Sequence, residues 1–506
     1  MCKSLENIKA DTSAGPDGIS PVLLRNCAFS LATPIFIIFH NSITSCTFPT
    51  VWKDAHVTPI HKSGSPHLTS NYRPISLLSI LSKILEGFVH KELSIQCSSL
   101  KILPDSQHGF LPGRSCLTNL LSTYEDITRL IDSSIPCDMI FFDFSKAFDS
   151  VSHTLLINKL STFGFNDPTV RWIQSYLCSR RQRVALRGSH APWTEVTSGV
   201  PQGSVLGPLL FNIFISDLPA GLRCSNRSYA DDLKIFAPSF HNTNLQLDID
   251  HVHLWSQNNS LSLNPAKCVV LHFGYNNPQA TYTINGVHIP AKTSHSDLGV
   301  LIDSSLKFHL QTEQIIPRIF RKAHYILKSF SKLSTNLFSV LYKTFLRPIF
   351  DYCAQICRPC YLHPVDRLES CQRKLTKWCQ PIRHLPYQQR LASLGLSSVR
   401  QRLHRGDMIL TYQIIRNLLD INPDDYFTPA STRTRGHQFK IQGQTSRTNI
   451  RHRFFTERVP KAWNALPDHI VCAPTLNCFK PDWTIILAHD FFGDSYVGRF
   501  GRLIGS

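Results

Sequence analysis

Apolar positions in the first hundred residues recur in short helical runs. These are broken by loops rich in Pro, Gly and Ser, such as Ser13-Ala14-Gly15-Pro16-Asp17-Gly18 and Lys62-Ser63-Gly64-Ser65-Pro66. From Cys137 the pattern changes. Asp138 to Phe144 is an apolar run ending as a strand edge. Phe148, Val151, Leu155, Leu156, Leu160 and Phe163 then return at helical spacing, and Gly164 closes that helix. The basic stretch Arg180-Arg181-Gln182-Arg183 leads into another strand-like run. Gly203 to Asp217 reads as a helix whose Leu206, Leu209, Leu210, Ile213 and Phe214 face a core. Ser228 to Ala237 reads as two short strands joined at Asp231-Asp232, a hairpin with acids at its tip. Beyond residue 311 the periodicity is mainly helical. Strands mixed with helices in this way predict an α+β fold, with a sheet layered by helices on one side.

At 506 residues the chain is long enough for roughly three domains. The longest strongly apolar stretch, Pro34 to Phe39, is far too short to cross a bilayer, so no membrane partner is expected. The first residues, Met1-Cys2-Lys3-Ser4-Leu5-Glu6, hold no apolar core of a secretory leader. Sixteen cysteines scattered over this length read as reduced structural thiols inside a cell. Cys357 and Cys360, with Cys353, His363, Cys371 and Cys379 nearby, could seed a zinc site. No second pair follows at finger spacing, and thiols are the preferred reading.

Charge adds a direction. Residues 1–310 hold 24 Lys and Arg against 22 Asp and Glu, while residues 311–506 hold 29 against 13. The formal +18 therefore belongs almost wholly to the second stretch, for which a polyanion such as nucleic acid is the natural partner.

Three acids suggest the chemistry. Asp143 would end one strand, and Asp231 and Asp232 would stand on a hairpin next to it. Mg²⁺ is a hard cation that takes one or two carboxylates and completes its octahedron with phosphate and water. Two such ions about 3.5–4 Å apart can stabilise the attacking and leaving oxygens of a phosphoryl transfer. By itself Tyr229-Ala230-Asp231-Asp232 is a weak signal, because acids in a hairpin turn are ordinary turn chemistry. Its company decides the matter.

Phe141-Phe142-Asp143-Phe144-Ser145-Lys146-Ala147-Phe148-Asp149 resembles motif A of non-LTR reverse transcriptases. Ser198-Gly199-Val200-Pro201-Gln202-Gly203-Ser204 resembles their motif B, Tyr229 to Asp232 motif C, Asn264-Pro265-Ala266-Lys267 motif D, and Leu298 to Asp303 the primer-grip region. Upstream, Ser13 to Gly18, Asn71-Tyr72-Arg73-Pro74-Ile75-Ser76 and Gln107-His108-Gly109-Phe110 are similar to the N-terminal and finger motifs. The resemblance runs from about residue 10 to about residue 480 as one ordered set. The string Trp463-Asn464-Ala465-Leu466-Pro467 resembles the Jockey-like and chicken-repeat-like branches, and argues against a maturase-type enzyme. A transposon-derived binding scaffold without catalysis is the rival from another class, and the three intact acids speak against it.

This resemblance implies a right-hand polymerase with fingers, palm and thumb, in which an antiparallel palm sheet is backed by helices. Residues 1–135 would form the fingers and an N-terminal extension. Residues 136–310 would form the palm, with a finger-side insertion near 165–195. A helical thumb would follow at 311–395 and a basic C-terminal region at 396–506. It implies RNA-directed DNA synthesis on an RNA template from a DNA primer or target, using deoxynucleoside triphosphates. The cofactor would be two Mg²⁺ ions, with Mn²⁺ an alternative. Action in the nucleus, after assembly in the cytoplasm, is expected from target-primed synthesis. Full elements of this kind carry an endonuclease ahead of the polymerase, and this chain is expected to lack one.

Residue by residue, Asp143 and Asp231 would share both metals, Asp232 would be a weaker third, and the Phe144 carbonyl would complete one shell. Lys62 and Arg73 would hold the triphosphate, for which an ammonium and a guanidinium fork are chemically suited. Phe148 would sit under the sugar and exclude a 2′-OH, although its spacing also fits an ordinary core Phe. Gln202 and Gly203 would let backbone approach the nucleotide, Lys267 would protonate the leaving pyrophosphate, and Asp149 would be structural. Arg433, Arg435, Lys440, Arg447, Arg451 and Arg453 would bind nucleic acid, with Phe439, Phe454, Phe455 and Trp463 interleaved. Those rings also read as the core of a small helical domain, Trp463 above all. A chain ending near residue 395 is expected to keep the acidic centre and bind RNA more weakly.

Overall fold

The computed structural model describes residues 1–480 apart from 63, 331–332, 359–361 and 431–435. Fourteen strands are formed among the described residues. In chain order they are β1 (Asp54–His61), β2 (Tyr72–Leu77), β3 (Cys137–Phe142), β4 (Arg180–Leu186), β5 (Ser189–His190), β6 (Thr194–Val196), β7 (Ser225–Tyr229), β8 (Asp232–Pro238), β9 (Val269–Phe273), β10 (Thr283–Ile284), β11 (Val287–His288), β12 (Ala291–Lys292), β13 (Ser294–Asp297) and β14 (Val300–Asp303).

The central sheet has the order β12-β9-β3-β8-β7. It is antiparallel throughout except for the two-residue edge strand β12, which runs parallel to β9. β3 is buried along its whole length, and its side chains alternate between two cores. Ile140 and Phe142 join the helices Gly207–Ile215 and Asn242–Asn258 on one face. Cys137, Met139 and Phe141 join Leu120, Tyr124 and Ile127 of the helix Cys116–Asp132 on the other. Helices therefore cover both faces, and the one-sided layer expected from the sequence is corrected. A sheet whose central strand is apolar at every second position in both phases cannot leave a face to water.

Asp138 is the one acid inside β3. It is held by His272 Nδ1 at 2.7 Å, by the Tyr282 hydroxyl at 2.7 Å and by Asn277 Nδ2 at 2.8 Å, which meets the cost of burying it.

A second sheet, unforeseen in the sequence, joins β2-β1-β4-β5 with β6 beside β4. β1 pairs antiparallel with β2 and parallel with β4, so the run from Arg180 returns to a hairpin more than a hundred residues upstream. The helix expected from Phe148 onwards is in fact two pieces. A single turn spans Ala147–Asp149, and a helix spans His153–Thr162, started by Ser152, whose Oγ accepts from the Leu155 amide. The helix expected from Gly203 begins instead at Gly207, with Pro208 in its first turn.

Past residue 311 the described elements are helices, with one isolated bridge between Pro429 and Ile441. None of the described helices is long and apolar enough to cross a membrane.

Candidate active site

The acids meet because of strand register. β3 and β8 place Phe142 opposite Leu233, so Asp143, one residue past the end of β3, lies beside Asp232, the first residue of β8. Asp231 sits at the tip between β7 and β8, after Ala230 in the left-handed region at φ 54°. That tip is clamped from below. The Gln107 side-chain carbonyl accepts from the amides of Gly109 at 2.7 Å and Ala230 at 2.8 Å. The neighbouring backbones exchange bonds as well, Ser228 N to Ser106 O and His108 N to Ser228 O, both at 2.8 Å. Gly109 is required here, because a Cβ on it would stand 2.4 Å from the Ala230 nitrogen. Gln107 is thus a positioning residue that sequence reasoning did not single out, although it lies within a recognised motif.

The cluster is electrostatically tense. Burial raises the Asp231 carboxyl, Asp143 raises it further, and Lys62 and Arg73 pull it back. Asp232 presents surface to solvent, yet the protein around it, then Asp231 and Asp297, push it up to about 6. Lys62 and Arg73 come from the end of β1 and from β2, and both are exposed. Lys267 Nζ stands 3.5 Å from Asp143 Oδ2. The bridge between Phe144 and Leu263 is closed by the Ser145 amide and the Asp143 carbonyl, so it makes no use of the Phe144 carbonyl.

These donors fit a hard divalent cation, being carboxylate and carbonyl oxygens crowded enough to favour added positive charge. Among the described residues no three His, Cys, Asp or Glu are gathered into a ready-made metal cage.

The second half of the site is a turn docked on the first. Gln202 Nε2 donates to Asp149 Oδ1 at 2.8 Å, and the Gln202 carbonyl accepts from the Ser76 amide of β2 at 2.7 Å. Gly203, at φ 116°, leaves no room for a side chain, since a Cβ would lie 2.6 Å from the Ser76 carbonyl oxygen. The close approach that calls for glycine is therefore to β2. Glu86, fully buried, accepts from the Val205 and Leu206 amides at 2.8 and 3.2 Å and from Ser82 Oγ at 2.7 Å. It fixes the entry to the helix Gly207–Ile215, a role with no sequence signal.

Phe148 is half-buried. Its ring stacks on the buried Phe211 with centroids 4.3 Å apart and planes at 13°, and its carbonyl accepts from the Val200 amide.

Behind the acids, Lys234 is buried and bonded to Asp297 of β13 at 2.5 Å, and the Tyr124 hydroxyl donates to the same carboxylate at 2.9 Å. This pairing ties β8 to the β13–β14 hairpin.

The raised Asp232 carboxyl has a consequence for stability. Its folded value lies above its unfolded one, so its contribution is fully present below about pH 4 and is lost as pH rises toward about 6. Asp232→Asn is therefore expected to melt higher than the parent chain at about pH 7 without divalent metal, by ~1–3 °C. The gap should close at about pH 4 or on adding millimolar Mg²⁺. Differential scanning calorimetry checks this, and a variant that melts lower at neutral pH would show that the acids are not strained.

The basic residues expected to bind nucleic acid divide. Arg433 and Arg435 lie outside the described residues. Arg447 is exposed, and its amide donates to Asp132 Oδ1 at 2.9 Å. Lys440 and Arg453 are half-buried. Arg451 is a correction. It is 3% exposed and bonded to Glu125 at 2.7 Å and Glu457 at 2.8 Å, so it joins two parts of the fold and cannot reach a phosphate. Phe454, Phe455 and Trp463 are core residues. Trp463 Nε1 donates to the Phe439 carbonyl at 2.7 Å. The Asn464 side chain clips Ile441, donating to its carbonyl at 2.7 Å and accepting from its amide at 2.9 Å. Those bonds account for the Trp-Asn pair in the motif.

Of the cysteines weighed for zinc, Cys353 and Cys357 lie in one apolar core and Cys371 and Cys379 in another. Cys360 and the His363 side chain are outside the described residues.

A central sheet bearing acids on a hairpin, a second five-stranded sheet docked through a Pro-Gln-Gly turn, and a helical region beyond make up the right-hand polymerase fold. Residues 60–302 match the family described as reverse transcriptase (RNA-dependent DNA polymerase). The chain carries that domain, and its relatives are the polymerases of non-LTR retrotransposons. It is 27% identical over 432 residues to the probable RNA-directed DNA polymerase from transposon BS of Drosophila melanogaster, covering 80% of this chain and 47% of that protein. It is 30% identical over 378 residues to the probable RNA-directed DNA polymerase from transposon X-element of the same organism, covering 72% and 41%. It is 28% identical over 338 residues to the RNA-directed DNA polymerase from mobile element jockey, again of Drosophila melanogaster, covering 63% and 37%. The chain spans less than half the length of these relatives.

Proposed function

We propose that this chain is an RNA-directed DNA polymerase that extends a primer 3′-OH with deoxynucleotides on an RNA template. The observation that carries the reading is the register-driven meeting of Asp143 and Asp232 beside Asp231, within electrostatic reach of Lys62 and Arg73. Two Mg²⁺ ions, or Mn²⁺ in their place, would be held by Asp143, Asp231 and the Phe144 carbonyl, with Asp232 contributing less. They would supply charge neutralisation at the attacking and leaving oxygens.

Lys62 and Arg73 orient the triphosphate. The primer 3′-hydroxyl gives its proton to solvent water as its oxygen bonds to the α-phosphorus, and the bond from that phosphorus to the bridging oxygen breaks, releasing pyrophosphate. Lys267, 3.5 Å from Asp143, is placed to give the leaving group a proton. In the scheme of fingers, palm and thumb, residues 1–135, 136–310 and 311–395 take those roles in order. Exposed basic residues further on, Arg447 among them, add sequence-independent affinity. Synthesis primed at a nuclear DNA target is the setting that suits such an enzyme.

Primer extension on homopolymer RNA tests the activity directly. Within it, Phe148→Ala is expected to raise ribonucleotide use relative to deoxynucleotide use by about tenfold or more, because the ring beneath C2′ is gone and the metal ligands are untouched. An unchanged ratio would return Phe148 to the core.

A further inference from the structure

Phe110 follows Gly109 on the clamp beneath the hairpin tip, and it is unusual in two independent ways. Its backbone occupies the left-handed region at φ 57°, where a bulky aromatic is rarely found. The residue is 50% exposed although its ring lies among other rings. The centroid is 6.1 Å from that of Phe148, edge to face at 79°, and 6.3 Å from that of Tyr229. Three hydrogen bonds hold the preceding residues in place: Gly109 N to Gln107 Oε1, Ala230 N to the same oxygen, and Asn212 Nδ2 to the Gly109 carbonyl at 2.7 Å. The surrounding bonds thus maintain a backbone geometry that delivers one exposed ring to the side of Phe148.

From this we infer that Phe110 is a positioning residue for sugar selection, which rests on the polymerase reading given above. Phe211 fixes the plane of Phe148 by stacking, and Phe110 closes its flank. An aromatic ring held on one face alone can slide or tilt, and a second ring set edge-on removes that freedom. The excluded volume under C2′ then depends on both contacts, although Phe110 itself need not touch the sugar.

Single-nucleotide insertion kinetics on the full chain test this, with ribo- and deoxynucleotides compared for the parent, Phe110→Ala, Phe110→Tyr, Phe148→Ala and the double variant. Phe110→Ala should raise the ribo-to-deoxy ratio of kcat/KM by about three- to tenfold. Phe110→Tyr, which keeps the ring, should stay within about twofold. The double variant should match Phe148→Ala alone, since one residue acts through the other.

A merely structural Phe110 would lower both efficiencies together and leave the ratio fixed, which overturns the inference. Additive effects in the double variant overturn it too, as does a Phe148→Ala variant with unaltered selectivity. Fluorine NMR of a fluorophenylalanine at position 148 needs no turnover and separates this idea from the polymerase reading. Phe110→Ala should broaden or shift that resonance even in a chain that never extends a primer, and an unmoved resonance counts against Phe110. Failure of every variant and the parent to extend counts against the polymerase reading alone.

Discussion

Asp231→Asn is expected to abolish primer extension, by about a thousandfold or more, while RNA binding stays within about twofold. The substitution preserves shape and hydrogen-bonding capacity but removes a charge. Asp231 is raised by burial and by Asp143, so an amide there would not disturb the fold and would relieve repulsion. What is lost is the negative charge that would hold two cations against a triphosphate. The measurement is a steady-state extension rate paired with a filter-binding curve on the same RNA. Extension within tenfold of the parent would remove Asp231 from the site, and a parallel loss of RNA binding would point to misfolding.

Cutting the chain near residue 395 is expected to be worse than a loss of affinity. It should leave a protein with no cooperative melt, recovered mainly as aggregate. The sequence alone suggested that such a chain would keep its acidic centre, and the packing argues against this. The core on one face of the central sheet combines Leu120, Tyr124, Met139, Phe141 and Phe236 with Tyr412, Phe427, Phe455 and Trp463. Removing the later residues strips part of the cover from that core, leaving the helix Cys116–Asp132 and the segment Val300–Phe308 to shield it and exposing a contiguous apolar patch. It also takes Arg451 and Thr456 away from Glu125, leaving that buried acid with Arg129 as its ion-pair partner. Circular dichroism melts and light scattering of the shortened chain decide the question. A cooperative transition and a monomeric profile would show that the face is dispensable.

The contrast between sequence and structure follows from the range of the interactions. The β7–β8 hairpin was legible because its alternation and its turn are local, and Asp143 was legible because an apolar run ends at it. The docking of β4 on β1 was not, because a parallel pair links segments whose local patterns carry no mark of each other. Gln107 and Glu86 escaped for a related reason. A single carboxylate or amide that bonds distant backbone groups looks, in a string of letters, like any other polar residue. Arg451 shows the limit of counting charge. The excess beyond residue 311 is real, but a guanidinium between Glu125 and Glu457 neutralises buried acids and is not offered to a ligand. Trp463 was legible as core, since an indole within an apolar string more often fills a cavity than stacks on a base.

The bond from Thr456 to Glu125 joins residues 331 apart in sequence. A ribosome making this chain must therefore release the strand that ends beside Asp143 long before the segment that seals its far face exists. During that interval the far side of the sheet is only partly covered, by the helix Cys116–Asp132, and completing it waits on closing a loop of several hundred residues. A chain of this kind would depend on chaperones in proportion to the time its last hundred residues take to emerge. Slowing translation across residues 400–470 should lower soluble yield, whereas slowing it across the first hundred should matter far less.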